Sequence, residues 1–466
     1  MPPATSSTPF SDSPDAAAGT RDAPHGYRPW PNSGRDEQAV HPRGVLKRPS
    51  LLDRIRSKKA VIAVVGLGYV GLPLARLFAA RGFRVLGFDS DPAKVRALKA
   101  GKSYIASVPA LNKRFEPSAR FARLAEADAI VICVPTPLTD RGLPDLTSVR
   151  RTADVVARHL RRGQLVVLES TTYPGTTREE LLPRLRKSGV EFLLAYAPER
   201  QDPGNRDHPP ESIPRIVAGI DDASRRAAAA LYRAVVPRVV EVETPEVAEA
   251  AKLLENIYRC VNIALVNELK IAFDRMGIDV WKVIEAAATK PFGFQAFRPG
   301  PGPGGHCIPI DPVYLAWKAE RAGASAKFIR LAGEVNAHMP VYVVDRLEAA
   351  LKKLKGARVL LLGISYKKDV GDPRGSPAYA IANELVRRGA RPAYHDPFFP
   401  KPPAMRHYRG LKLRPAPLTE ESLASFDAVV VVTDHSSYDF EWIARHARLV
   451  VDTRHAVPDG DNVIRA

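Results

Sequence analysis

The sequence predicts an α/β protein of two Rossmann-like, doubly wound domains joined by a long central helical region. Three observations predict it. Short aliphatic runs bounded by glycine alternate with helix-period segments through the first half of the chain, the pattern of a parallel sheet covered on both faces. Strand-type runs then vanish between about 245 and 350, where helix-period segments stand alone. From Ala357 the alternation returns.

Bulk composition sets the frame for these elements. With 466 residues, 45% of them hydrophobic, the chain exceeds one ordinary core. Residues 1–50 stand apart, rich in Pro, Ser, Asp, Gly and Ala, and read as a disordered tail. That tail holds six Lys/Arg against five Asp/Glu, a net of +1, so the formal charge of +18 belongs to the folded body. The basic residues are spread along the chain rather than massed in one block, which speaks against nucleic acid and suits an anionic small ligand. No apolar run of roughly eighteen residues is present, so no membrane span is expected and the protein is read as cytoplasmic. Cys133, Cys260 and Cys307 have no metal-ligand spacing and cannot form a disulfide framework, so no metal is expected and any important cysteine matters for its reactivity.

In the first domain, 51–244, the apolar run Ala60–Val65 has the continuous character of a strand buried on both faces, and a helix over Leu72–Ala80 and a strand over Arg84–Phe88 complete a βαβ unit. Strands over Ala129–Val134, Leu165–Leu168 and Phe192–Ala195 alternate with helices over Val149–His159 and Arg178–Lys187, giving a parallel sheet. The central region, 245–350, carries helices over Pro245–Met276 and Ser325–Leu351 and is expected to form a subunit interface. The second domain, 351–466, has strands over Arg358–Leu362, Arg391–His395, Ala428–Val432 and Leu449–Val451, with a helix over Pro377–Arg388.

Gly66-Leu67-Gly68-Tyr69-Val70-Gly71 falls directly after the first strand and before the first helix of that unit, where glycines permit a tight turn and the approach of a pyrophosphate. Asp89 closes the second strand eighteen residues past Gly71, placed for an adenosine ribose 2′-hydroxyl, so NAD is expected over NADP. Val134-Pro135-Thr136-Pro137 and Glu169-Ser170-Thr171-Thr172 follow later strand ends, the edge where open α/β sheets hold ligands. Turn chemistry alone also selects such residues.

The most informative stretch runs from Pro299 to Pro312. Its interleaved glycines and prolines cannot form a helix or central strand, so Cys307 is held on a loop that can press against a ligand. Cys133 and Cys260 lie among aliphatics and read as core. Lys252 and Asn256, four apart on a helix, share one face as an oxyanion pair requires, though solvated faces carry the same residues. Glu199 lies in a Pro-flanked loop after a buried strand, as either a site acid or a surface one. His306 adjoins Cys307, but neighbours on an extended loop point apart, so it is read as shaping the loop rather than as the thiol's base. In the second domain Gly363-Ile364-Ser365-Tyr366-Lys367 replaces the dinucleotide motif, with a lysine able to meet a phosphate.

In order, Gly66–Gly71, Ser170-Thr171, Ala197–Arg200, Ala251–Asn256, Gly304–Pro312 and Gly363–Asp369 resemble the UDP-glucose/GDP-mannose dehydrogenase family, most of all its UDP-N-acetylhexosamine 6-dehydrogenase branch, over about Leu51 to Ala466. The resemblance implies a four-electron oxidation of a sugar C6 alcohol by two successive NAD molecules. It implies that Lys252, or a water held by Lys252 and Asp311, takes the alcohol proton and that Cys307 captures the aldehyde. Glu199 is implied as the base of the final hydrolysis, with Thr171 and Asp311 placing the water and Lys252 and Asn256 donating to the oxyanion. Cofactor contacts are implied for Gly66, Gly68, Tyr69, Val70, Gly71, Asp89, Lys94, Thr136, Thr171 and Arg374, the last reaching the cofactor of a neighbouring subunit. Substrate contacts are implied for Glu199, Arg200, Lys252, Asn256, Arg259, Gly304, Tyr366 and Lys367. A homodimer or higher homo-oligomer is implied, with a UDP-sugar as the small-molecule partner.

The chain departs from the family at Gly371-Asp372-Pro373-Arg374-Gly375, where one acid of a pair and the glutamate after Arg374 are replaced, which puts the subunit contact in question. Two other classes stay open at this point: a non-catalytic nucleotide-sugar binder, and a two-electron dehydrogenase that needs no loop cysteine. UDP-glucose is the alternative substrate.

Overall fold

Val61–Val65 is buried at every position, as a strand covered on both faces must be. The structure is a computed structural model that describes residues 49–466 except 106, 107, 109–112, 203, 206, 306, 404–407 and 409. The expected tail, up to Arg48, and the expectation for His306 lie outside the described residues.

In chain order the first part comprises α1 (Leu51–Arg56), β1 (Val61–Val65), α2 (Gly71–Ala80), β2 (Arg84–Phe88), α3 (Pro92–Lys99), β3 (Phe115–Ser118), β4 (Ala129–Ile132), α4 (Thr147–His159) and β5 (Leu165–Leu168). It continues with α5 (Leu182–Arg186), β6 (Leu193–Tyr196), β7 (Arg215–Gly219), α6 (Asp222–Arg233) and β8 (Val239–Glu241). Their sheet has the order β3-β2-β1-β4-β5-β6-β7-β8, with apolar clusters packed on both faces.

The expected all-parallel sheet is corrected at one place: β7 runs antiparallel to β6, pairing Tyr196 with Ala218. A parallel return needs a crossover to the opposite edge. The segment after β6 instead stays at the carboxyl edge, where the Arg200 guanidinium donates to the Pro214 carbonyl at 2.9 Å, so β7 starts from that edge and runs back. The strands of this sheet passed over by the sequence reading, β3, β7 and β8, include one interrupted by Pro117 and one of three half-buried residues.

The middle of the chain is helical: α7 (Pro245–Met276), α8 (Val280–Ala288), α9 (Asp311–Arg321) and α10 (Lys327–Leu351). Local signals fix α7 at both ends, with the Thr244 hydroxyl accepting the Val247 N–H, Pro245 in the first turn, and Gly277 closing at φ 70°. α7 packs on α10 through buried Asn267, whose amide donates to Asn336 at 2.9 Å.

The last part comprises β9 (Arg358–Leu362), α11 (Pro377–Arg387), β10 (Arg391–His395), β11 (Arg414–Pro415), α12 (Glu420–Ser425), β12 (Ala428–Val431), α13 (Phe440–His446), β13 (Val450–Asp452) and β14 (Val463–Arg465). Its parallel sheet has the order β11-β10-β9-β12-β13-β14.

Candidate active site

The turn between β1 and α2 uses its three glycines differently. At Gly66, φ 93°, a Cβ would lie 2.6 Å from the Cys133 carbonyl oxygen, and one on Gly71 would lie 1.8 Å from the Gly66 carbonyl oxygen. Both are needed for packing. A Cβ on Gly68 would meet nothing within 4 Å, so that side of the turn is open and could admit a pyrophosphate. Asp89 is buried at the end of β2, its carboxylate accepting the Leu67 and Asp91 N–H groups at 2.9 Å each and pairing with Lys94 at 3.3 Å. This donor and acceptor set fits NAD. Sequence reasoning missed Tyr104, whose hydroxyl donates to the Leu67 carbonyl at 2.5 Å and braces the turn from a distant loop.

The second sheet repeats this edge with one change. Gly363, φ 84°, stands where Gly66 does, and Asp396 follows β10 as Asp89 follows β2. Asp396, however, accepts from the Ile364 and Ser365 N–H groups, the Ser365 hydroxyl and the fully buried His435 ring. Those four donors crowd one oxygen and the Phe398 N–H meets the other at 2.8 Å, so Asp396 is engaged within the protein more fully than Asp89, and the two sheets share an architecture with differently occupied acids.

Cys307 stands in the turn that leads into α9, its carbonyl accepting the Ile310 and Asp311 N–H groups at 3.1 and 2.9 Å. The loop before it is fastened to the second sheet. A Cβ on Gly304 would come 2.7 Å from the Tyr366 Cβ, and the Gly305 N–H donates to the Arg374 carbonyl at 3.2 Å. From α7, the Asn256 amide donates to the Asp311 carboxylate at 2.5 Å, and buried Lys252 lies on the same helix face. Burial lifts the Asp311 carboxyl to about 6 despite the opposing pull of Lys252 and Asn256. Although Cys307 is open to solvent, crowding by the cleft walls pushes its thiol up, as does the Asp311 charge, while Lys252, Arg374 and Arg259 pull it down. The structure therefore brings Cys307, Asp311, Lys252 and Asn256 together. Cys133 and Cys260 are buried.

Glu199 sits on the loop after β6 with both oxygens engaged. One accepts the Arg200 and Gln201 N–H groups at 2.7 Å each, and the other accepts Arg215 at 2.6 Å. Arg200 ties this loop to α7 through Glu255 at 2.5 Å, beside Asn256. Thr136 and Thr171 are half-buried past the ends of β4 and β5, and the intervening Ser170 hydroxyl donates to the Val134 carbonyl at 2.7 Å. Arg259 is exposed on α7. Lys367 pairs with Asp202 of the Glu199 loop at 2.6 Å, joining the two sheets' ligand edges.

Arg374 lies over the Tyr69 ring of its own chain, 4.1 Å from the centroid, and so touches its own Gly66–Gly71 turn. The retained Asp372 holds it in a bidentate pair at 2.7–3.0 Å, so the replaced acids are not needed to place it. Sequence reasoning also missed Arg215 and gave Glu169, quoted only within its turn motif, no role of its own; both sit beneath Glu199. Both lie on or next to short buried strands, and a charge there that no solvent can reach was the available signal.

A turn built for a dinucleotide, next to an acid, an amine and a thiol that converge on one cleft, makes this an NAD-dependent oxidoreductase acting on CH–OH groups. The chain belongs to the UDP-glucose/GDP-mannose dehydrogenase family, whose NAD binding domain matches residues 60–236, central domain 246–338 and UDP binding domain 360–463. It is 36% identical over 395 residues to UDP-N-acetyl-D-glucosamine 6-dehydrogenase of Pseudomonas aeruginosa, covering 82% of this chain and 92% of that one. Among solved structures it resembles UDP-D-ManNAc dehydrogenase of Pyrococcus horikoshii, with TM-score 0.77, 31% identity and coverage of 87% of this chain and 98% of that one. A UDP-glucose dehydrogenase of Pyrobaculum islandicum follows at TM-score 0.76 and 28% identity, with the same coverage. The protein is an NAD-dependent nucleotide-sugar dehydrogenase, and no helix among its described residues is long and apolar enough to cross a membrane.

Proposed function

We propose that the protein oxidises the C6 alcohol of a UDP-N-acetylhexosamine to the carboxylate, with Cys307 as covalent nucleophile. The observation that carries this reading is the convergence of Lys252, Asn256 and Asp311 on a loop thiol. The Gly66–Gly71 turn would hold the NAD pyrophosphate and Asp89 its ribose, and NAD so held would supply the hydride acceptor that each of the two oxidations needs. Asp311, poised near neutrality, takes the alcohol proton through a water that Lys252 also holds. The Cys307 thiolate then adds to the aldehyde carbon, and the resulting alkoxide is met by Lys252 and Asn256. Loss of the second hydride from that carbon leaves a thioester. Water, deprotonated by Glu199, attacks the thioester carbonyl, and the C–S bond breaks to return the thiolate and release the acid.

The second sheet takes the UDP portion at Tyr366 and Lys367. UDP-glucose is kept as the second substrate because the Pyrobaculum islandicum relative is nearly as similar in fold. We also infer a cytoplasmic homodimer: Leu254, Tyr258 and Leu265 line one exposed stripe of α7, and Phe328 and Leu331 are exposed on α10. Purified protein given NAD and a panel of UDP-sugars should release two NADH per sugar, fastest with an N-acetylhexosamine. A Cys307→Ala variant that still makes acid at the full rate overturns the thioester route, and one NADH per sugar overturns the four-electron reading.

A further inference from the structure

The antiparallel β7 has a chemical consequence. Parallel strands present their carboxyl ends to the ligand edge, and β7 alone among β4–β7 presents its first residue there. That residue is Arg215, 1% exposed and one of the largest fully buried side chains. Its guanidinium donates to the Glu199 carboxylate at 2.6 Å and to the Pro198 carbonyl at 3.2 Å, so it grips both the side chain and the backbone of the Glu199 loop. Its other neighbour is Glu169, just past β5, at 3.8 Å. Glu169 in turn accepts the Tyr232 hydroxyl at 2.6 Å and faces the Cys133 thiol at 3.7 Å, and the Arg215 guanidinium lies over the Tyr232 ring.

An arginine taken fully out of water is costly and keeps its place only where several partners meet it. Here it is met from the ends of β5 and β6 and from α6. A carboxylate offers about four acceptor sites. Two backbone N–H groups and Arg215 fill three on Glu199, leaving one for a water.

We propose that Arg215 is a positioning residue for the hydrolytic step, holding the Glu199 carboxylate in the single orientation that leaves its last acceptor site for the attacking water. This rests on the reading of Glu199 as the hydrolytic base. Glu169 and Tyr232 form the floor that keeps the guanidinium in place. The role is specific to hydrolysis because, among the described residues, the hydrogen bonds and ion pairs of the Arg215 guanidinium go to Pro198, Glu199 and Glu169 rather than to the Gly66–Gly71 turn or the Cys307 loop, so both oxidations should proceed without it.

The test uses the whole enzyme with NAD and UDP-N-acetylglucosamine, quenched in acid and weighed intact. Glu199→Gln should release a burst of two NADH per site and trap an acyl group on Cys307. Arg215→Met should trap the same adduct and slow turnover on the order of 100-fold, with KM for sugar and NAD within about twofold of wild type. If Glu199→Gln traps the adduct while Arg215→Met neither traps it nor slows turnover, the proposal for Arg215 fails and the role of Glu199 stands. If Glu199→Gln traps nothing, the hydrolytic role of Glu199 fails and Arg215 loses its purpose with it. Should Arg215→Met not fold, Arg215→Lys decides: a lysine lacks the planar fork, so hydrolysis should slow about tenfold, and that slowing should disappear in a Glu199→Gln background. No slowing, or slowing that persists in that background, overturns the proposal.

Discussion

Replacing Asp311 by Asn should stabilise the protein at neutral pH while abolishing turnover. The carboxyl is 3% exposed, and burial raises it from 3.8 to about 6 even with Lys252 and Asn256 drawing it down. Because the folded value lies above the unfolded one, the native state binds the proton more tightly. The stability it confers is full below about pH 4 and is lost as pH rises through about 6. The shift of about 2.2 units amounts to roughly 3 kcal/mol of native-state penalty at neutral pH. Asparagine cannot ionise, and it keeps an oxygen for the Asn256 amide, so the penalty disappears with the charge. Thermal unfolding at about pH 7.5 should show the variant melting several degrees above wild type. Near pH 5 the advantage should fall to roughly 1.6 kcal/mol, because part of the wild-type population is then protonated. A variant that melts at or below wild type at neutral pH, or an advantage that grows on acidification, would refute the account of Asp311 as a charge held against its solvation.

Three further outcomes follow from the same cleft. The turnover of the native enzyme should drop tenfold per pH unit on the acid side of about 6, as Asp311 takes up its proton; a profile flat down to about pH 5 would remove Asp311 as the group that passes on the alcohol proton. Alkylation of Cys307 by iodoacetamide, followed by peptide mass, should be slow at neutral pH and accelerate on the alkaline side of the ordinary thiol range, and Asp311→Asn should speed it by removing a negative neighbour. Asp202→Ala takes away the carboxylate that pairs with Lys367 and should lower KM for the UDP-sugar less than about fivefold, the limit for a pair one-third exposed, with KM for NAD unchanged; a rise in the sugar KM would show that Asp202 places Lys367 rather than competing for it.

Much of the fold was legible because its signals are local. The continuous apolar run of β1, the Pro245 and Thr244 cap, and Gly277 at the end of α7 each act within a turn of their own position. The glycines of the first turn were legible for the same reason, since their φ angles and close approaches are set by a strand and helix adjacent in sequence. β3 and β8 were not, because a strand of three or four residues with a proline or a solvent face has too little pattern to outweigh turn chemistry. The direction of β7 was hidden for another reason: a segment's apolar pattern does not record which way it runs. The second sheet's kinship to the first was legible at Gly363, but the equivalence of Asp396 to Asp89 escaped notice because the motif there carries only one of the three glycines.

The candidate site divides along the same line. Composition and spacing alone sufficed to mark Cys307 as a loop thiol, Asp89 as a ribose acid and Lys252 with Asn256 as one helix face, since each judgement needs only neighbouring residues. The packed chain was required to put Asn256 against Asp311 across 55 residues, Arg374 over Tyr69, Lys367 on Asp202 and Arg215 under Glu199. Those pairings depend on how two sheets and a helix meet, a property of side-chain volume and burial summed over the molecule. No window of sequence contains that sum, whereas the chemistry of each partner is written in the residue itself.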